Sequence, residues 1–143
     1  MRKLCHSLSE LNAFAIHWLS QLTPAAHGAT LVGLIGELGA GKTAFTQAVG
    51  RALGIKETMT SPTFVIEKFY DLKGAVWARL IHLDCYRLGS AKELLKLNWA
   101  ELITDPANLI LVEWADKVET ILPTGSRLLH FKFIDENTRE IQG

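Results

Sequence analysis

The sequence predicts an α/β fold, a three-layer sandwich around a central, mostly parallel sheet. Two runs, at 30–35 and 109–112, are almost wholly apolar, which is typical of strands buried on both faces of a parallel sheet. Two other stretches, at 9–22 and 44–53, carry apolar residues at the spacing of an amphipathic helix. The chain has 143 residues, and we predict a single domain over 1–143.

The individual elements follow from apolar periodicity and from the breakers between the periodic segments. Ser9 is the expected N-cap of the first helix, Gly54 ends the second, and the run 71–74 predicts a hairpin turn. In chain order we predict a helix at 9–22, a strand at 30–35, a helix at 44–53, strands at 63–70 and 76–83, short helices at 91–97 and 99–103, a strand at 108–113, a short helix at 115–121 and a strand at 126–134. Residues 135–143 form either a last strand or a tail.

Composition narrows the class of protein. Fifteen basic and fifteen acidic side chains give a formal net charge of zero, which argues against a generally basic nucleic-acid clamp. Cys5 and Cys85 form no spaced framework, as expected of reduced thiols in a cytoplasmic protein. No apolar run approaches the roughly 18 residues of a membrane span, and no secretory signal is recognisable. We therefore expect a cytoplasmic protein that does not enter a membrane.

One motif carries chemistry. Residues 36–43 read G-E-L-G-A-G-K-T and fit G-x-x-x-x-G-K-[ST], the phosphate-binding P-loop. Its glycines let backbone N–H groups turn inward around an anion. Lys42 offers a point charge to the β- and γ-phosphates, and the Thr43 hydroxyl is a ligand for Mg²⁺. Since a strand precedes the loop and a helix follows it, the motif predicts a P-loop NTPase-like fold that binds ATP and Mg²⁺.

Two acids are candidates to complete the magnesium site. Glu113 ends the apolar run 109–112, and the carboxyl end of a parallel strand is where ligands bind; the alternative is a solvated acid at a strand end. Asp84 follows another apolar strand and could position a water on the metal or orient the attacking water, or it could be an N-cap or an ion-pair partner of Arg87. His82 and Cys85 do not make a zinc site, because two ligands without a second pair are not enough.

Three further features are weaker. The run 60–63, Thr-Ser-Pro-Thr, stands where other P-loop proteins place a loop that senses the γ-phosphate, although Ser-Pro is also an ordinary loop start. Trp114 follows the candidate metal acid and is either a core or surface aromatic or one that faces the nucleotide or a partner. Arg139 lies in the polar stretch near the end of the chain and would ordinarily be solvated.

Together, four motifs resemble one family in their order and spacing. They are G-E-L-G-A-G-K-T at 36–43, T-S-P-T-F at 60–64, H-L-D-C-Y-R at 82–87 and L-V-E-W at 111–114, and the family is TsaE, also named YjeE. The resemblance implies an ATPase of tRNA threonylcarbamoyladenosine biosynthesis. It implies action with the TsaD and TsaB proteins, which modify adenosine 37 of tRNAs reading codons that begin with A. This chain would then meet tRNA indirectly, through that complex.

The resemblance also implies roles for individual residues. Lys42, Asp84 and Glu113 would be catalytic, and Thr43 and Glu113 would hold Mg²⁺. The expected nucleotide contacts are Ser9, Glu37, Leu38, Gly39, Ala40, Gly41, Lys42, Thr43, Ala44, Thr63, Trp114 and Arg139. Two positions depart from the family pattern, since Ala44 replaces a second hydroxyl residue and Ala115 replaces a proline. The lost hydroxyl would weaken nucleotide binding by about 1 kcal/mol.

Two other functions stay open at this point. The first is a small-molecule kinase, although such enzymes need a lid and arginines that clamp both substrates, and the arginines after the P-loop are scattered. The second is a nucleotide-gated interaction module in which hydrolysis is incidental. With no arginine obviously placed as a finger, an ATPase of this sequence is expected to be slow by itself.

Overall fold

The computed structural model describes residues 1–57, 59 and 67–143. Within them strands and helices follow one another in the predicted order, after a first strand that was not predicted. The strands are β1 (Arg2–Cys5), β2 (Thr30–Ile35), β3 (Glu67–Asp71), β4 (Arg79–Asp84), β5 (Asn108–Glu113), β6 (Arg127–Phe133) and β7 (Arg139–Gln142). The α-helices are α1 (Leu8–Gln21), α2 (Lys42–Ala52), α3 (Ala91–Leu95) and α4 (Trp99–Thr104), and a 3-10 helix covers Ala115–Ile121.

The described strands form one sheet in the order β1-β7-β6-β2-β5-β4-β3. The four central strands, β6, β2, β5 and β4, run parallel, with Val32 opposite Leu111 and Leu80 opposite Leu109. The pairings β1–β7, β7–β6 and β4–β3 are antiparallel. The α/β sandwich with a parallel centre is thus confirmed, and its antiparallel edges make the whole sheet mixed.

Two apolar layers flank this sheet. On one face, Phe45 of α2 is fully buried and its ring contacts Trp18 and Phe131, with centroids 5.4 Å away in both cases. On the other face, Trp99 of α4 packs in a second cluster and its indole N–H donates to the Ile121 carbonyl at 3.1 Å. The site therefore rests on a scaffold packed from both sides.

The start of α1 corrects one prediction. Ser7, not Ser9, is the N-cap: its backbone is extended and its Oγ accepts from the Glu10 N–H at 3.1 Å. In return, the Glu10 carboxylate accepts from the His6 N–H at 2.6 Å. The signal was present, since S-x-x-E over 7–10 is the capping-box pattern. Ser9 lies within the first turn and is exposed.

We expect Ser7→Ala to lower the free energy of unfolding by about 1 kcal/mol, because the helix loses the acceptor for one of its free N–H groups. Ser9→Ala is the matched control, and it should leave stability unchanged or raise it slightly because alanine has the higher helix propensity. Urea denaturation of the two variants measures both effects. Equal losses in the two variants would contradict the assignment of the cap.

The two ends of the chain pair with each other, which the sequence did not reveal. β1 was not predicted, and it lies antiparallel to β7 with Cys5 opposite Arg139. Residues 139–142 are the last strand, which settles the alternative left open for 135–143. The prediction for Gly54 is confirmed, since it follows the C-cap of α2 with a φ of +88° and donates to the Arg51 carbonyl at 3.0 Å.

None of the helices in the described ranges is long and apolar enough to cross a bilayer.

Candidate functional site

A cavity of about 640 Å³ opens where the central parallel strands end and the glycine-rich loop 36–43 begins. Most of the predicted site residues line it, namely Leu38, Gly39, Ala40, Gly41, Lys42, Thr43, Ala44, Asp84, Glu113, Trp114 and Arg139. Ser9 and Glu37 are not part of the lining, and Thr63, like the whole motif 60–64, lies outside the described residues. The sequence motifs that the structure describes therefore meet around one cavity.

Lys42 is held inside the loop. It is the first residue of α2 and is buried, and its Nζ donates to the carbonyls of Gly36 and Glu37, the second at 2.8 Å. Burial lowers the pKa of Lys42, and nearby carboxylates, first those of Glu113 and Asp84, act in the opposite direction. The loop carbonyls and these acids thus hold the Lys42 ammonium group beside the first turn of α2, where a phosphate would bind.

Thr43 and Glu113 meet across 70 residues of sequence. The Thr43 hydroxyl donates to Glu113 Oε1 at 3.0 Å, and Glu113, the last residue of β5, is only 2% exposed. Glu113 is therefore not a solvated acid at a strand end, the alternative considered from sequence. A threonine hydroxyl beside a carboxylate is an oxygen donor set of the kind that Mg²⁺ prefers.

Thr43 and Glu113 offer two of the oxygen ligands that a metal at this position would need. In the described part of the chain, no group of three or more His, Cys, Asp and Glu side chains is placed to hold an ion. Mg²⁺ usually takes one or two protein oxygens and completes its shell with substrate phosphates and water. The pair Thr43 and Glu113 fits that pattern, in which the nucleotide and the metal arrive together.

Asp84 ends β4, next to Glu113 in the register of the neighbouring strands. Its Oδ1 accepts from the Tyr86 N–H at 2.9 Å, which orients the carboxylate at the cavity wall. The two acids thus occupy equivalent positions at the carboxyl ends of adjacent parallel strands.

Trp114 has an unusual backbone. Its φ of +58° and ψ of +42° lie in the left-handed region, which costs of order 1–3 kcal/mol in a non-glycine residue. The turn places the indole in the cavity wall beside Glu113, 4.4 Å from Lys42 Nζ and with its ring 4.9 Å from that of Tyr86. Trp114 is therefore half-buried: it packs against the second apolar cluster and also lines the cavity.

Arg139 connects the last strand to the glycine-rich loop. Its Nε donates to the Gly39 carbonyl at 2.8 Å, and its guanidinium also donates to the carbonyls of Asp135 and Thr138, at 2.5 and 3.0 Å. This is not the solvated arginine that composition alone would suggest. It supports the loop and lines the cavity at the same time.

Sequence reasoning missed several residues of the lining. Tyr86 and Arg87 belong to the motif 82–87 and could have been included on that ground. Ser7 carries a signal only as a helix cap. No local pattern marks the rest, which are Leu8, Leu11, Glu136 and Asn137. They are brought in by the pairing of the chain ends.

Cys85 lies directly beneath the site and is fully buried. Burial, with the nearby Asp84 carboxylate adding to it, raises the pKa of Cys85 to about 12; burial also raises the pKa of Cys5. Because only the thiolate reacts, and because both thiols are buried and have raised pKa values, we expect iodoacetamide at about pH 8 to modify neither cysteine in the folded protein. Mass spectrometry checks this, and both should react in urea. Stoichiometric modification of Cys85 without urea would contradict it.

Comparison with known proteins agrees with this geometry. The family model for Threonylcarbamoyl adenosine biosynthesis protein TsaE matches residues 5–141. The tRNA threonylcarbamoyladenosine biosynthesis protein TsaE of Streptomyces coelicolor is 38% identical over 114 residues, covering 78% of this chain and 75% of that protein. The protein of the same name from Rickettsia bellii is 30% identical over 137 residues, or 95% and 89% of the two chains.

A solved structure supports the same assignment. The crystal structure of Bacillus subtilis YdiB superposes with a TM-score of 0.69 at 28% identity, covering 99% of this chain and 82% of that one. Sequence and fold thus agree over nearly the whole length, and the residues that carry the sequence motifs line one cavity in the structure. The chain belongs to the TsaE family of threonylcarbamoyl adenosine biosynthesis proteins.

Proposed function

We propose that this protein binds and hydrolyses ATP with Mg²⁺ in the threonylcarbamoyl modification of adenosine 37 in tRNAs that read codons beginning with A. Its membership of the TsaE family supports the pathway. The observation that carries the ATPase activity is the contact of Thr43 with Glu113 at 3.0 Å, next to Lys42 and within one cavity. Loop, cation, hydroxyl and acid are the parts that phosphoryl transfer requires.

The roles of the residues follow from their positions. The backbone N–H groups of the loop and the start of α2 bind the phosphates, and Lys42 adds its charge where negative charge grows in the transition state. Thr43 and Glu113 would hold Mg²⁺, which when bound neutralises charge on the phosphate oxygens. Asp84, on the adjacent strand end, orients the water that attacks the γ-phosphate.

We expect turnover by the isolated chain to be slow. Arg139 is bonded to the loop carbonyl of Gly39 and so serves the loop rather than a developing charge. A stabilising group from a partner would raise the rate, as arginine fingers do in other P-loop enzymes. Free protein that turns over at about 1–100 per second, as kinases do, would contradict this expectation.

The first test concerns Lys42. We expect Lys42→Ala to abolish detectable binding of Mg·ATP in calorimetry, because the loop loses the only side-chain cation within it. Lys96→Ala is the matched control: Lys96 is exposed and outside the cavity lining, so its removal should leave binding intact. ATP binding or turnover that is undiminished in Lys42→Ala would refute the proposal.

The second test concerns partners. We propose that TsaD and TsaB bind this chain, and that tRNA is met through their complex, since a formal net charge of zero gives the chain little attraction of its own for nucleic acid. The immobilised chain should retain TsaD and TsaB in a nucleotide-dependent manner.

A small-molecule kinase would instead transfer the γ-phosphate to an acceptor, so a screen of nucleosides and small acceptors separates the two functions. We propose that this protein carries out its function in the cytoplasm.

A further inference from the structure

His82 lies behind the candidate metal pair and has no role in the function proposed above. It is the fourth residue of β4, it is only 1% exposed, and its Nε2 lies 2.6 Å from Glu113 Oε2. The contact joins two neighbouring strands, because β4 and β5 pair in parallel with His82 opposite Leu111. The buried imidazole of His82 thus contacts Oε2 of Glu113, whereas Oε1 of the same carboxylate faces Thr43.

We infer that His82 is a positioning residue that fixes the orientation of Glu113 for the metal. An ionised carboxylate only accepts hydrogen bonds, so Nε2 carries the proton and donates to Oε2. That bond leaves Oε1 to Thr43, whose hydroxyl lies 3.0 Å away. The two oxygens of Glu113 are therefore divided, one for support and one for the site. This inference rests on the proposed function.

The environment of the other ring nitrogen, Nδ1, favours this role over a merely structural one. His82 Nδ1 is buried and has no hydrogen-bond partner among the described residues. A histidine that served only to pack or to join backbone segments would leave the buried Nδ1 acceptor unpaired, which costs free energy. An apolar side chain of similar size would fill the same space without that cost. The bond to Glu113 is the polar contact that the structure gives this ring in return.

The need for support arises from the surroundings of Glu113. This carboxylate is 2% exposed and close enough to Lys42 to influence its ionisation. Without the imidazole, Oε2 would be buried with no donor, and the carboxylate could turn towards the cation in the loop. Groups that hydrogen-bond to metal ligands fix their orientation in this way, and losing them weakens metal binding about 10–100-fold.

Three substitutions separate the donor from the bulk of the ring. His82→Gln keeps an N–H at the position of Nε2, since the same number of bonds joins it to the backbone. His82→Asn places its amide at the position of Nδ1 instead, and His82→Met fills the space with no donor. Ile81→Val is the control for strand stability, because Ile81 is buried on the opposite face of β4.

The measurement is metal binding rather than turnover. Mn²⁺ serves as the probe in an electron paramagnetic resonance titration of each variant with ATP, and calorimetry with ATP in excess chelator reports metal-free nucleotide binding. We expect His82→Met to weaken Mn²⁺ binding about 10–100-fold without a matching loss of metal-free ATP binding. His82→Gln should recover most of the loss, and Ile81→Val should bind as the native protein does.

The possible results are distinct. Native Mn²⁺ affinity in His82→Met, or an equal loss in Ile81→Val, would overturn the inference. If His82→Met does not fold, the two amide variants are compared instead. Tighter Mn²⁺ binding by His82→Gln than by His82→Asn supports the inference, and equal Mn²⁺ binding by the two overturns it. If Mn²⁺ and ATP fail to bind even the native protein, the proposed function is what fails, and this inference fails with it.

Discussion

Replacing Glu113 with glutamine should lower the kcat of Mg²⁺-dependent ATP hydrolysis by about 100-fold or more. The substitution keeps the size of the side chain but removes the charge that Thr43 and the metal would share, and a metal contributes several kcal/mol to a phosphoryl transition state. The new amide would also turn an N–H towards either Thr43 or the imidazole of His82, where the carboxylate accepted. Phosphate release at saturating Mg·ATP measures the loss.

Asp84→Asn is the informative comparison, because the sequence left open which acid binds the metal directly. Glu113 is the acid in contact with Thr43, and Asp84 Oδ1, on the neighbouring strand end, accepts from the Tyr86 N–H. We therefore expect Asp84→Asn to bind Mg·ATP in calorimetry nearly as the native protein does, yet to hydrolyse it slowly. Loss of Mg²⁺ affinity in Asp84→Asn together with its retention in Glu113→Gln would reverse the two roles.

The same Glu113→Gln variant tests whether hydrolysis matters at all. In an ATPase that drives tRNA modification, loss of turnover should stop the modification. In a nucleotide-gated interaction module, a variant that still binds ATP would support modification at the native level. Reconstitution with TsaD, TsaB and tRNA therefore separates the proposed function from its closest alternative.

The centre of the fold could be predicted from the sequence because its signals are local. β2 and β5 have the predicted bounds, since strands buried on both faces are continuous apolar runs flanked by polar residues. Glu113 and Asp84 could be placed for the same reason, since each ends such a run. The edge strand β1 could not be predicted, because it is four residues long, is mostly exposed and pairs with the other end of the chain.

The contacts between residues within the site could not be predicted from the sequence either. Lys42 and Thr43 were evident from spacing, but the support of the loop by Arg139 spans 100 residues and depends on how β7 lies beside β6. The bond between His82 and Glu113 depends on the register of β4 against β5. A sequence pattern identifies which groups carry the chemistry, whereas strand register determines which of them touch.

Gly36 illustrates that difference and carries the second large prediction. The motif predicts that Gly36 helps the loop to bind phosphate, but the structure shows that no larger residue would fit at this position. Its φ is +155°, and a Cβ there would collide with the Phe131 carbonyl and lie 3.1 Å from Phe131 Cβ. Since both obstacles belong to β6 or are anchored on it, β2 and β6 would have to separate. We expect Gly36→Ala to lower the free energy of unfolding by about 3–5 kcal/mol.

Gly39→Ala is the matched control within the same loop. Gly39 has a φ of +77°, and a Cβ added there meets no atom within 4 Å, so only the backbone conformation resists the substitution, at about 1 kcal/mol. Urea denaturation of both variants without nucleotide isolates folding from phosphate binding. If the first glycine served the phosphates alone, the two variants would lose similar stability in the absence of ligand. A markedly larger loss in Gly36→Ala means that this position is required for the contact between β2 and β6 before any nucleotide arrives.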